Sequence, residues 1–467
     1  KEKCHFFTPK MVFIQKKNPW SLVGSKLYLN YTKLHLNTPY ILPYTIFYKK
    51  RRYQDKMIKI CFIANFEKTA FFEAIADKIL EQKKHEIYWI VVNKKQSNKL
   101  MLKYGKKNIC LINKKIEGQL INENLISKIK LNEILYQDRS LNTNSIKHLQ
   151  YLEISCSKIY QFLKKNEIMY VYGEITWAHE IITYKICNLN YDLNCKFYFP
   201  STVRFPLSHF LFFTNSEQSK FFIRKNKAIS KITNYSEDYL SLIKKIRPNK
   251  LYLSYDFILK KIRKIFHDDY FDRHDPTRVN RLVRGINLLK KYVYLLTSNF
   301  IIKNKLDFLE KEKYIIYFLQ KQPEAAIDVK GAYYDDQLMN FKNLWRLIPS
   351  DFKIILKEHP NAIGDNSLSY YRQFTKYNNT LLVRDFDNFE NVVSKAFATF
   401  SVASTASIES AMLNVPSFTF VKCFFNEIKN SYRVSLEDIK NFDNIYDLKN
   451  FFYNNNDTKN NIYQSNY

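Results

Sequence analysis

Ile58-Lys-Ile-Cys-Phe-Ile-Ala-Asn65 is an apolar run that stops at a polar residue, and the segment after it decides the fold. From Lys68 to Gln82 the apolar residues Phe71, Phe72, Ile75, Ile79 and Leu80 recur at helical spacing and share one face. His85-Glu-Ile-Tyr-Trp-Ile-Val-Val92 is a second run of the kind that a strand buried on both faces requires. Strand, helix and strand within about 35 residues make a β-α-β unit, the building block of parallel sheets.

Outward from this unit the alternation continues. Asn108–Ile112, Met169–Tyr172 and Lys196–Phe199 read as strands, separated by helical stretches such as Ile146–Lys165. From Lys313 a second alternation begins, with strands expected at Tyr314–Leu319, Lys353–Leu356, Thr380–Val383, Ala398–Val402 and Ser417–Val421. Helices are expected between them at about Asp335–Leu347, Leu368–Lys376, Asn388–Lys395 and Ser407–Leu413. The chain therefore divides into a basic, aromatic extension (1–56), a Rossmann-like domain (57–235), a helical connector (236–312), a second Rossmann-like domain (313–453) and an Asn-rich tail (454–467). Two such domains are expected to face a central cleft, with ligands at the carboxyl ends of their strands.

Composition narrows the function. With only 7 glycines in 467 residues there is no G-x-G-x-x-G and no P-loop, so standard dinucleotide and P-loop nucleotide sites are excluded. Seven scattered cysteines without a C-x-x-C argue against a disulfide framework or a zinc site and fit a reducing cytoplasm. The longest apolar stretch, Phe205–Phe213, falls far short of the ~20 residues a membrane span needs. No signal peptide is visible. The net charge of +30 lies wholly in residues 1–300, because residues 301–467 carry 20 basic and 20 acidic residues. That asymmetry, with Lys49-Lys-Arg-Arg52 at its head, predicts an anionic partner for the first half: a membrane surface, an acidic polymer or nucleic acid. Solvated lysine-rich helices would read the same way.

Two strand ends in the second half carry the sharpest chemistry. Lys357-Glu-His359-Pro360 follows the strand Ile354-Ile-Leu356, where a histidine can donate to a phosphate or protonate a departing oxygen. A histidine held by the backbone of a turn is the alternative. Ser401-Val-Ala-Ser404-Thr405-Ala-Ser407-Ile-Glu409 takes a strand through a hydroxyl-rich turn into a helix, which makes a phosphate cradle without glycine or an ordinary N-cap. On neighbouring strand ends the two would hold one phosphate from both sides. In the first half, Glu174 follows a strand and precedes a helix, as a base, a nucleophile or a cap. Arg204 is a candidate partner for a substrate carboxylate. Asp385-Phe-Asp387 reads as a helix cap rather than a metal site.

The ordered set Phe318-Leu-Gln-Lys-Gln322-Pro-Glu324, Asp336-Gln337, Lys357-Glu-His-Pro360 and Ser404-Thr-Ala-Ser-Ile-Glu409 resembles bacterial capsular polysaccharide glycosyltransferases. More broadly it is similar to CMP-sugar transferases of the GT-B fold, the Kdo transferases and bacterial sialyltransferases. Gly173-Glu-Ile-Thr-Trp-Ala-His-Glu180 and the segment Asn65–Ala76 resemble the same group more loosely. The resemblance implies that His359 contacts the donor phosphate and assists departure of the nucleotide. It implies that Ser404, Thr405 and Ser407 bind that phosphate, with Lys357 and Pro360 beside it, and that Glu409 binds the ribose. Gln322 and Glu324 become possible substrate contacts. The implied enzyme moves an acidic sugar, Kdo or sialic-acid-like, from a CMP-activated donor to an anionic glycan or lipid-linked acceptor at the cytoplasmic face of the inner membrane. It is expected to use no cofactor, since the CMP-sugar is a substrate, and no metal. The rival readings are a CDP-polyol phosphotransferase, a nucleotide-sugar epimerase and a basic nucleic-acid-binding protein. No helix-turn-helix, zinc finger or RNA-binding aromatic motif supports the last.

Overall fold

The computed structural model describes residues 57–66, 68–81, 85–115, 123–141, 143–189, 192–203, 209–222, 262–263, 265, 271–302, 312–384 and 389–448. The expected extension, most of the connector and the tail lie outside them, as do Lys49–Arg52, Arg204, Asp385 and Asp387.

The first domain is built on a seven-stranded sheet. Its strands are β1 (Ile58–Ile63), β2 (His85–Val91), β3 (Ile109–Leu111), β4 (Tyr170–Tyr172), β5 (Lys196–Val203), β6 (His209–Phe213) and β7 (Phe221–Phe222), in the order β3-β2-β1-β4-β5-β6-β7. β1 to β5 run parallel, with Ile60 level with Ile87 on one side and Tyr170 on the other. The helices are α1 (Lys68–Leu80), α2 (Lys94–Tyr104), α3 (Glu123–Lys128), α4 (Leu131–Gln137), α5 (Ile146–Lys165) and α6 (Ala178–Asn188). They cover both faces and so divide the buried residues into two clusters. Cys61, Ile63 and Ile90 pack under α5 and α6, while Phe62, Trp89 and Tyr172 pack under α1. Alternate residues of one strand thus serve opposite cores, which is why the strands read as unbroken apolar runs.

The far edge of this sheet is antiparallel, and β5 runs past the end of the expected Lys196–Phe199 to Val203. β5, β6 and β7 form an antiparallel meander, with Phe199 opposite Phe213 and Phe212 opposite Phe222. β5 runs on through Pro200, which a central strand would not tolerate. Its pairing with β4 ends at Tyr198, so at Pro200 only one side of the strand is in a ladder.

α7 (Arg281–Ser298) leads into the second domain. Its sheet comprises β8 (Lys313–Phe318), β9 (Phe352–Lys357), β10 (Thr380–Val383), β11 (Ala398–Ser401), β12 (Ser417–Thr419) and β13 (Ser431–Arg433), all parallel in the order β10-β9-β8-β11-β12-β13. The helices are α8 (Ala325–Asp328), α9 (Gln337–Trp345), α10 (Leu368–Thr375), α11 (Phe389–Ser394), α12 (Ala406–Met412) and α13 (Leu436–Lys440). The chain is therefore α/β with two Rossmann-like domains. Val329 reaches into the buried cluster of the first domain, and the Phe213 and Phe424 rings meet at 5.6 Å.

Segment 271–298 ties the two domains together. Asp275 accepts from Asn93 beyond β2 (2.9 Å), and the His274 carbonyl accepts from Lys114 N–H beyond β3 (2.8 Å). α7 then packs on the second domain, where Lys291 meets Asp365 and Arg384 bridges buried Glu358 to Ser298. Gly364, at φ +79°, lets the backbone pass the Lys291 carbonyl; a Cβ there would lie 2.5 Å from that oxygen.

Candidate active site

In an open α/β sheet the ligand crevice forms where strand order reverses, because the loops on either side leave in opposite directions. The first sheet reverses between β1 and β4 and the second between β8 and β11. Both points carry a side-chain amide that ties one strand end to the other.

At the first, Asn65 beyond β1 donates from Nδ2 to Glu174 Oε2 (3.0 Å) and to Glu180 Oε1 (3.0 Å). Glu174, just beyond β4, is also ion-paired with Lys68 at the start of α1. Glu180 reaches back to the beginning of α6, accepting from Thr176 N (2.9 Å), Thr176 Oγ1 (2.7 Å) and Trp177 N (3.1 Å). The capping considered for Glu174 is thus supplied by Glu180. Burial pushes Glu180 up to about 7 despite these donors. Burial likewise lowers Lys68 to about 8, against the opposing pull of Glu180.

At the second, Gln320 beyond β8 accepts from Ala403 N beyond β11 (2.7 Å). Gln337 holds Gln320 in place, accepting from its N–H (2.7 Å) and donating to its carbonyl (3.0 Å). Gln322 donates to Asp328 (2.9 Å), and Asp328 also accepts from Glu324 N (2.6 Å). Burial raises the Asp328 carboxyl, with Arg139 among the groups pulling it down. Arg139 acts on both clusters, because it also lowers Lys68. Its guanidinium lies 5.4 Å from the Trp177 ring, and its Nε is shut off from solvent with no hydrogen-bond partner among the described residues. Arg139 is thus coupled electrostatically to Lys68 in the first domain and to Asp328 in the second.

His359 stands half-buried past the end of β9, and its Nδ1 accepts from Asn361 N (3.1 Å). In the neutral ring this places the proton on Nε2, as a donor. The expectation that His359 and the hydroxyl turn occupy neighbouring strand ends needs correction. β8 lies between β9 and β11, so the two sites stand two strand spacings apart, about 10 Å.

Ser404, Ser407 and Lys357 have partners of their own. Ser407 is fully buried, with its Oγ 2.9 Å from Ser401 Oγ. Ser404 Oγ accepts from Ala406 N (3.2 Å), and Thr405 is the N-cap residue of α12 without a side-chain bond. Lys357 is buried and donates to the carbonyls of Glu358 (2.9 Å) and Arg384 (2.6 Å), joining the ends of β9 and β10. Glu409 is buried inside α12, and Pro360 is exposed. A cavity of about 780 Å³ opens beside Asp328, lined by Leu131, Tyr136, Asp328, Tyr333 and Asp335, and the Asp335 carboxylate raises the Tyr136 hydroxyl across the domain boundary. Neither His359, Glu174 nor the hydroxyl turn lines it.

Sequence reasoning missed Asn65, Lys68, Arg139 and Gln320 as site residues. The motif stretches include three of these four, but their partners are 109 residues away for Asn65–Glu174 and 83 for Gln320–Ala403.

No family model matches the chain, and no curated protein sequence does. Among solved structures it is similar to the beta Kdo 2,7 transferase of Thermosulfurimonas dismutans KpsC, at 12% identity and TM-score 0.31 over 60% of this chain and 78% of that one. It is also similar to the UDP-GlcNAc 2-epimerase of Methanocaldococcus jannaschii in complex with UDP-GlcNAc and UDP, at 12% identity and TM-score 0.26 over 82% and 91%. The UDP-GlcNAc 2-epimerase of Neisseria meningitidis bound to UDP-GlcNAc is 9% identical, with TM-score 0.26 over 82% and 89%. The pair of α/β domains is read from the chain's own sheets.

Proposed function

We propose that the chain is a GT-B glycosyltransferase that moves an acidic sugar, Kdo or sialic-acid-like, from a CMP-activated donor to an anionic glycan or lipid-linked acceptor. The observation that carries this reading is the pair of bridged switch points with Arg139 coupled to Lys68 and Asp328. A cation with an unpaired, desolvated N–H suits a ligand that carries a phosphate and a carboxylate, where charge-assisted bonds are strongest.

In this reading the second domain holds the nucleotide. His359 Nε2–H donates to the donor phosphate as the glycosidic bond breaks, stabilising charge that grows toward the transition state. Ser404 and Thr405 stand at the other flank of β8 and meet the far side of the donor, with Gln322 and Glu324 near the sugar and Glu409 toward the ribose. Glu174 takes the proton of the acceptor hydroxyl. Paired with Lys68 it is not ready to do so, and turnover requires that Lys68 swing away or lose its proton. A Lys68 lowered to about 8 makes the second route accessible just above neutral pH. No divalent metal is needed, because the phosphate charge is met by these donors.

The test is a panel of CMP-, CDP- and UDP-linked sugars and polyols, scored by thermal stabilisation and then by turnover. A donor at 100 times its Kd stabilises the fold by about 2.7 kcal/mol. CMP-sugars should stabilise the protein and be consumed with an acceptor glycan. Stabilisation by UDP-GlcNAc alone, with interconversion of the free nucleotide sugar, would replace the transferase reading by an epimerase.

A further inference from the structure

α7 buries one face on the second domain, through Leu295, Ser298 and the Lys291–Asp365 pair, and leaves the other in solvent. Leu282 (77% exposed), Ile286 (52%), Leu289 (69%), Val293 (55%), Leu296 (63%) and, just past the helix, Phe300 (87%) make up that outer face. They recur at alternating intervals of four and three residues. At about 100° per residue all six fall within roughly 80° of arc, along a ridge about 27 Å long. Single exposed apolar residues are ordinary, whereas an aligned ridge of six is not.

We propose that this ridge is a membrane-docking surface, lying in the plane of an anionic lipid interface. Two observations select that occupant. Arg281, Arg284, Lys290 and Lys291 are the charged residues of α7, which has no acidic residue. Exposed Lys290 flanks the ridge at about 80° on one side, and Arg281, half-buried with its guanidinium 4.3 Å from the Phe271 ring, lies at about 100° on the other. A second copy of the helix would bring these cations against one another with no carboxylate on the helix to pair them, which opposes a homodimeric seam. Lipid phosphates meet them while the apolar ridge enters the acyl boundary. The helix rests on the surface rather than crossing it, because no helix among the described residues is long and apolar enough to span a membrane. The surface lies apart from the residues proposed for donor chemistry and does not depend on their roles.

The experiment is vesicle flotation of the full chain with phosphatidylcholine alone and with equal parts phosphatidylcholine and phosphatidylglycerol. The variant Ile286→Ser/Leu289→Ser/Val293→Ser keeps every charge, including those of residues 1–56, and removes the centre of the ridge. Wild type should float with the anionic vesicles, and the variant should lose at least tenfold in partitioning with an unchanged melting temperature. Lys290→Glu should weaken binding to anionic vesicles several-fold. Equal flotation of wild type and the triple variant would overturn the proposal, as would failure of wild type to float. So would a wild-type dimer in solution that the triple variant dissociates, which would assign the ridge to a second copy.

Discussion

His179 and Glu180 are neighbours in sequence, both buried in the first turn of α6, and burial acts on them in opposite directions. His179 is lowered from 6.5 to about 3, its buried Nε2 without a hydrogen-bond partner among the described residues, and Glu180 is raised from 4.5 to about 7. The signs follow from where each proton resides. His179 stays neutral in the fold but is protonated in the unfolded chain below about 6.5, so stability present above that pH is lost as pH falls toward 3. Glu180 holds a proton in the fold up to about 7 but in the unfolded chain only below 4.5, so its contribution is full below 4.5 and lost as pH rises through 7. Each pH unit of mismatch is worth about 1.4 kcal/mol. Between pH 7 and pH 4.5 the glutamate therefore adds about 3 kcal/mol while the histidine removes about 3 kcal/mol. The two contributions therefore oppose one another in wild type across that range. Below it only the histidine loss continues, for a further ~2 kcal/mol.

Single variants separate the two contributions. Relative to wild type, His179→Leu should gain about 3 kcal/mol on going from pH 7 to pH 4.5, and Glu180→Gln should lose about the same. Urea unfolding followed by tryptophan fluorescence reads this out, since Trp89 and Trp177 both lie in the first domain. Taking differences from wild type removes the contribution of every other titrating group. Stability curves for both variants that run parallel to wild type would refute the reasoning, because they would mean that neither group's protonation changes on folding.

His359→Ala should lower donor cleavage at least 100-fold with little change in melting temperature, since the ring is half-buried past the end of a strand rather than packed in a core; near wild-type turnover would remove the histidine from the mechanism. Turnover should survive excess chelator, and loss of activity restored by magnesium or manganese would reassign Asp385 and Asp387 as ligands. Gly364→Ala should destabilise the protein by about 1–3 kcal/mol, since the new methyl meets the Lys291 carbonyl at a left-handed backbone position; an unchanged urea midpoint would mean that α7 is not held against the second domain as described.

The parallel strands were legible because burial on both faces makes each one a continuous apolar word. The expected Lys353–Leu356 and Thr380–Val383 match the observed Phe352–Lys357 and Thr380–Val383 to within one residue at each end. The β5-β6-β7 meander was not, because Phe205–Phe213 is equally apolar and the information that makes it antiparallel lies in pairing partners rather than in its own residues. The site was legible as two strand ends but not as a geometry. Nothing in Lys357-Glu-His359-Pro360 or Ser404-Thr-Ala-Ser407 says that β8 will stand between them, since strand order is a property of the sheet.

Strand order also redirects the chemical argument. Motif reasoning favours residues whose side chains are reactive, and so it chose His359, Glu174 and the serines. The switch points select Asn65 and Gln320, two amides with no reactivity of their own. An amide at such a point can donate and accept at once, so it joins two strand ends and still fixes the orientation of the group beyond. Asn65 does this for two carboxylates together. Without its donor, Glu174 and Glu180 would be buried neighbours with less to offset their repulsion, at a cost of about 1.5–3 kcal/mol for each charged hydrogen bond lost. The carboxylate proposed to act on the acceptor is therefore held by an unreactive residue from beyond another strand. That residue becomes visible once β1 is known to lie beside β4.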